Sequence, residues 1–263
     1  MAAVTVATLG VDLAAEPVGT AVVRLDWDDA QPRATVLPRR MSDAQLVEAI
    51  AGIGIAKVGI DCPFGWPAGF VDAVSAHAAG RTWPGGEGPA ARRILRLRLT
   101  DREVAARFKE PLSVSSTYIG ATAMRCASIL NAWRSRDPKH DRVGTGRLIE
   151  VYPALAMRHW HLDMPGYKNG DNWAKARKDI LNAVGHTVDV EEVREAVLQS
   201  KTYGDDVIDA LVAALVAASA MTPGGVEPPP ASDTDERRIA EIEGWIAVPS
   251  LPLHEVDPRP ASP

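Results

Sequence analysis

Apolar and polar positions along the chain sort into elements before any other property is considered. Residues 4–13 form an apolar run rich in Val and Thr, which predicts a buried strand ending in Gly10-Val11-Asp12. Glu16-Pro17-Val18-Gly19 supplies turn chemistry, and residues 20–27 predict a second strand. A turn through Asp28-Asp29 and Gln31-Pro32 leads to a short third strand at 34–37. Ser42 is placed to cap a helix over 43–51, whose Leu46, Val47 and Ile50 share one face. Residues 57–60 predict an apolar strand that stops at Asp61-Cys62-Pro63. Three strands, a helix and a strand in that order predict a hairpin meander followed by a crossover to a parallel strand.

The middle of the chain is less regular. Residues 82–89 are a loop by composition. Over 93–100 Arg alternates with Ile or Leu, which suits a half-exposed strand, with a short basic helix as the alternative. Helices are predicted over 101–108 and 121–133, and a buried strand over 146–152, broken at Pro153. Residues 205–221 predict a helix that is apolar nearly all round and therefore deeply buried. Gly224 to Pro230 reads as a linker or exposed loop, followed by a short helix at 235–242 and a strand at 245–248. The Pro-rich tail after Asp257 is expected to be disordered.

Acidic residues interrupt these apolar elements at a few places. Asp12 ends the first strand, Asp61 ends the strand after the first helix, and Asp206 and Asp209 sit three apart on the buried helix. Two carboxylates ~4 Å apart repel by about 4 kcal/mol at an effective dielectric of about 20. Several together need a compensating cation, and oxygen donors without His or Cys favour Mg²⁺ or Mn²⁺ over zinc. Each acid also has a local reading: Asp12 and Asp61 as turn residues, Asp205 and Asp206 as helix caps. Asp209 lies one turn into an apolar helix and cannot be a cap, which tips the balance toward a metal site. Glu150 ends a strand in the same buried manner, either as a fifth acid or bonded to local backbone or Arg147.

Composition adds bounds. At 263 residues the chain forms one large domain or two small ones, and 46% hydrophobic with 24% charged residues is globular composition. Cys62 and Cys126 are too few for a disulfide framework or a four-thiolate zinc site. The longest apolar run, 210–218, is far short of the ~18 residues of a spanning helix, and no basic segment precedes the N-terminal apolar stretch. The expectation is a cytoplasmic protein with no membrane contact. Against 34 acidic residues stand 29 basic ones, a net charge of −5, but the balance is uneven. Between Arg81 and Arg147 there are 14 Lys and Arg and six Asp and Glu, a net of +8, which is either a polyanion surface or a solvated helical face.

The strand order, with acids closing strands one and four and the final helix, resembles the ribonuclease H-like fold. The Asp206-Val207-Ile208-Asp209-Ala210 pattern resembles the closing motif of the branch that includes Holliday-junction resolvases. Gly10-Val11-Asp12, Gly59-Ile60-Asp61-Cys62-Pro63, Arg98-Leu99-Thr100-Asp101, Glu150-Val151-Tyr152-Pro153, Tyr167-Lys168 and the Asp206–Asp209 motif together resemble domain-of-unknown-function family 429, described as predicted nucleases of that fold. The resemblance covers residues 4 to about 221, with Glu243-Gly244-Trp245 and the residues after it.

The resemblance implies a metal site of Asp12, Asp61, Asp206 and Asp209, and the strand-ending Glu150 is a further catalytic candidate from its place in the pattern. One departure is that the second acid, usually Glu in resolvase-like enzymes, is the shorter Asp61. Arg98 and Arg102 are candidate phosphate ligands, or else a structural ion pair with Asp101. Tyr167 and Lys168 lie on a loop suited to substrate contact. The expectation is therefore an α/β ribonuclease H-like domain over 1–222 with a basic insertion at about 63–146. A Pro/Gly-rich loop at 223–234 and an extension at 235–263 follow. The expected function is Mg²⁺- or Mn²⁺-dependent hydrolysis of nucleic acid, DNA or RNA. The alternatives are a non-catalytic binding module for nucleic acid or protein, and a phosphotransferase or ATPase of the actin and sugar-kinase-like fold.

Overall fold

The computed structural model describes residues 6–28, 31–115 and 118–259. β1 (Val6–Asp12) pairs antiparallel with β2 (Ala21–Trp27), which pairs antiparallel with β3 (Arg33–Val36). α1 (Asp43–Ile50) crosses over, and β4 (Ile55–Asp61) returns parallel to β1. Four helices follow: α2 (Ala68–Ala78), α3 (Gly88–Arg96), α4 (Leu99–Ala105) and α5 (Gly120–Arg134). β5 (Leu148–Glu150) then adds parallel to β4 and closes a mixed five-stranded sheet in the order β3-β2-β1-β4-β5. α6 (Pro153–His159), α7 (Trp173–Val184), α8 (Glu191–Gln199), α9 (Gly204–Ser219) and α10 (Asp235–Glu243) complete the chain's longer elements. The protein is α/β, a mixed sheet flanked by helices.

Local chemistry explains the best-defined boundaries. Ser42 and Gln45 form a reciprocal capping box, Ser42 Oγ accepting from Gln45 N–H and Gln45 Oε1 from Ser42 N–H, which starts α1. α9 is buried on nearly every side because it lies between the sheet and α6, α7 and α8. On the opposite face, α1 and α5 cover Leu9, Val11, Val58, Ile60 and Leu148. Two cores therefore sandwich the sheet.

Four segments differ from the sequence pattern. Residues 93–100 take the helical alternative and not the strand, as the end of α3 and the start of α4. Pro89 starts α3, and Arg98 turns inward to an ion pair, so the outward Arg of the alternating pattern is lost there. Residues 245–248 form no full strand; Ile246 makes a single parallel bridge to Glu150, and Ala247 N–H donates to the Glu150 carbonyl. The segment after α9 is not a free linker: Gly225 is buried, and its carbonyl accepts from Ser219 Oγ at 2.6 Å. After Asp257 the chain stays on the body, Arg259 reaching the Asp28 carbonyl at 2.9 Å, while 260–263 lie outside the described residues, as do residues 4–5 and Asp29. Helices α2, α6, α7 and α8 stand where the pattern predicts no element.

Candidate active site

Two glycines bring the acids together. Side chains alternate along a strand, so Thr8, Gly10 and Asp12 of β1 share one face, and the parallel register sets Gly10 beside Gly59 and Asp12 beside Asp61. A Cβ on Gly10 would sit 1.9 Å from the Ala210 carbonyl oxygen, and one on Gly59 2.3 Å from that of Ala213. Only glycine lets α9 lie this close to the sheet. Thr8 Oγ1 donates to the Ala214 carbonyl at 3.0 Å and fixes the contact. Two residues beyond each glycine, Asp12 and Asp61 therefore meet the first turns of α9, which carry Asp206 and Asp209.

Burial is the largest influence on all four carboxyls, and mutual repulsion adds to it. Asp12 is raised well above the usual carboxylate range by burial, then by Asp209, Asp61 and Asp206. Burial and Asp209 push Asp61 up to about 8, with Lys168 opposing. Asp206 is pushed to about 7 by burial, Asp205 and Asp209. Asp209 is also raised by burial, against Lys168 and Tyr167. Lys168 Nζ donates to Asp209 Oδ2 at 2.6 Å, and Tyr167 Oη donates to Oδ1 at 3.0 Å. Burial alone would lower the Lys168 pKa, but the Asp209 charge outweighs it and the ammonium is held above its ordinary range.

The loop bearing Tyr167 and Lys168 is strapped in place by Arg177 on α7, a residue the sequence reading did not single out. This fully buried guanidinium donates to the carbonyls of Tyr167 at 2.7 Å, Lys168 at 3.1 Å, Ser200 at 2.8 Å and Lys201 at 2.7 Å. It also pairs with Asp205 Oδ1 at 3.1 Å, so Asp205 anchors this strap rather than capping α9. The signal was present: Ala176, Arg177, Ile180, Leu181 and Val184 form one buried face of α7, and an arginine on an apolar face needs partners.

The family model described as Protein of unknown function (DUF429) matches residues 10–235, a span that includes all four acids, Lys168 and Arg177. The chain belongs to the DUF429 family. No curated protein matches this DUF429 chain, and no solved structure matches it.

Three other residues singled out in the DUF429 chain are held in structural contacts, among them the Arg98–Asp101 ion pair that the sequence offered as one of two readings. Glu150 is one residue out of phase with the acid face: it lies on the parity of Leu148, which packs with α1 and α5. Its carboxylate accepts from the Phe64 amide at 2.9 Å and takes a bidentate pair from Arg98 at 2.6 and 2.7 Å. Arg98 also donates to Asp101 at 2.9 Å and to the Glu243 carbonyl at 3.1 Å, so its guanidinium is a structural partner rather than a phosphate ligand. Arg102 donates to the Leu97 carbonyl at 2.8 Å.

Four of the 14 Lys and Arg residues in the basic stretch from Arg81 to Arg147 are spent on acids in the rest of the molecule. Arg98, Arg107, Arg125 and Arg136 pair with Glu150, Glu227, Asp43 and Glu48, all outside the stretch. Arg93 and Arg96 share Glu110 within it. Its excess charge stitches this region to an acidic body, which leaves less of it to face a polyanion.

The donor chemistry suits a hard divalent cation, since four desolvated carboxyls face one ammonium. Among the described residues no three His, Cys, Asp or Glu side chains are spaced as a ready-made metal cage, and Asp209 is held by Lys168 and Tyr167. Mg²⁺ rarely uses such cages; it is typically held by one or two carboxylates with substrate phosphates and waters. Asp12 and Asp61 fit that pattern. Both line a pocket of about 280 Å³, which Lys168 and Tyr152 also border, and Tyr152 is a second residue the sequence reading missed. Among the described residues, no helix is long and apolar enough to cross a membrane.

Proposed function

We propose that this chain is a Mg²⁺- or Mn²⁺-dependent phosphodiesterase acting on nucleic acid, built on a ribonuclease H-like fold. The observation that carries the reading is the in-register pair Asp12 and Asp61, two desolvated carboxyls at the ends of adjacent parallel strands facing a shared pocket. The β3-β2-β1-β4-β5 order, with the remaining acids on α9, supports the fold assignment. Asp12 and Asp61 would hold the cation. Once bound, it supplies Lewis-acid polarisation of a phosphoryl oxygen.

The chain's own groups do the rest. Lys168, half exposed on its side chain, uses one donor on Asp209 and keeps others for a phosphate oxygen. Tyr167 holds the Asp209 carboxylate in place, and Asp209 in turn orients the ammonium. Asp206, pushed to about 7 by burial and its acidic neighbours, stands one turn before Asp209 on α9 and adds to the acidic group. Asp61 would hold the cation from the end of β4.

The test is incubation of purified protein with end-labelled DNA and RNA, single and double stranded, with Mn²⁺, Mg²⁺ or EDTA, and ATP in parallel. Metal-dependent cleavage is expected, reduced at least a hundredfold in Asp12→Asn and Asp61→Asn. Either ion should also raise the melting temperature of the parent by several degrees, because a ligand at a hundredfold excess over Kd stabilises by about 2.7 kcal/mol. Phosphate release from ATP with nucleic acid intact, or no hydrolysis with either ion, overturns the reading.

A further inference from the structure

We infer that the acid pocket is a blind, one-nucleotide site, so that the substrate is the end of a single strand rather than a continuous backbone; this rests on the phosphodiesterase reading above. The pocket's two ends differ in exposure. Leu112, 59% exposed, stands at the mouth. Arg98, Asp101 and Glu150 also line it but are at most 2% exposed, so their ion-paired cluster closes the inner end. A continuing chain needs a groove that runs in and out, and this pocket is stopped by a buried salt bridge.

Size and lining agree with that shape. At about 280 Å³ the space lies near the lower limit of ligand pockets, ~300 Å³, and holds one nucleotide-sized group rather than a duplex. Its lining holds groups suited to both parts of a nucleotide. Asp12, Asp61 and Lys168 provide the polar side for a phosphate and its cation, while Leu112, Ile119 and Tyr152 provide apolar and aromatic surface for a base. Pro111, Leu112 and Ile119, which lie between α4 and α5, wall one side of a site that the sheet and α9 alone would leave open. Arg107, Arg125 and Arg136 of the same region pair with acids of the body, as expected of a wall held in place.

The experiment compares one single-stranded oligonucleotide in linear form and as a covalently closed circle, in Mn²⁺, with methyl p-nitrophenyl phosphate and free deoxynucleotides as further substrates. Expected is stepwise shortening of the linear strand, one nucleotide at a time, with the circle cut at least a hundredfold more slowly. Leu112→Trp, a change at an exposed side chain that leaves the melting temperature within about 2 °C, should slow shortening at least tenfold by filling the mouth. Circle and linear strand cut within tenfold of each other, or shortening unchanged in Leu112→Trp, overturns the blind pocket and leaves the phosphodiesterase reading standing. Hydrolysis of free deoxynucleotides or of methyl p-nitrophenyl phosphate with the oligonucleotide untouched also overturns it. No hydrolysis of any substrate removes both readings together.

Discussion

Asp12 and Asp61 are register partners at the ends of β1 and β4, each two residues after a glycine that α9 requires. The same alternation that turns the glycines toward the helix turns the carboxyls toward its first turns. Close helix packing and the meeting of four acids are one geometric event. Its cost appears in the raised pKa of every member.

That cost has a sign with pH. Asp61, pushed up to about 8, and Asp206, at about 7, bind protons in the folded chain that the unfolded chain has released. The native state therefore binds more protons than the unfolded state between about pH 4 and 8, and stability falls as pH rises through that window. Urea midpoints measured in EDTA at pH 5.5, 7 and 8.5 should decline in that order. Asp61→Asn should flatten the slope; a midpoint rising with pH would contradict the repulsion.

Gly10→Ala and Gly59→Ala should each destabilise by at least the ~1–3 kcal/mol of ordinary overpacking, because the added methyl meets backbone rather than a side chain that can yield. Gly120→Ala is the control: its Cβ would lie 3.7 Å from the nearest atom given, the Val114 carbonyl oxygen, and the change should stay within ~0.5 kcal/mol. Chemical denaturation compares the three. Equal stability across them would mean that α9 does not need its close approach.

Arg98→Met should cost ~3–5 kcal/mol, since it leaves Glu150 and Asp101 as buried carboxylates without their cation. Adding Glu150→Gln to that variant should recover part of the loss. Were Arg98 a phosphate ligand instead, Arg98→Met would weaken substrate binding and leave urea unfolding unchanged.

Arg177→Met removes the donor shared by five carbonyls and Asp205, and a loss of ~3 kcal/mol or more is expected. The local readout is sharper. Hydrogen exchange should accelerate first at 165–170 and 200–203, the two segments the guanidinium joins, before β1 or β4 loses protection. Uniform acceleration across the chain would indicate a purely global role.

How far the site was legible follows from which interactions are local. Asp12 and Asp61 stand out because each ends an apolar run, and Asp209 because it interrupts an apolar helix. Glu150 carries the same signal and borders the same pocket, but strand pairing turns it to the other face of the sheet, where Arg98 holds it. Helix α2 was missed because only Ala73 and Ala76 face inward, a pattern with little hydrophobic contrast.

By itself the sequence determined the α/β order, the meander with its crossover, the capping box at Ser42 and the acids that end β1 and β4, because short-range periodicity and turn chemistry decide these. Only the tertiary structure decided that Gly10 and Gly59 admit α9, that Lys168 settles on Asp209 and that Arg98 is held by Glu150. It also decided that Arg107, Arg125 and Arg136 of the basic stretch pair with acids of the body. These contacts join residues dozens to hundreds of positions apart, and charge or glycine at one position says nothing about its partner until the chain has folded.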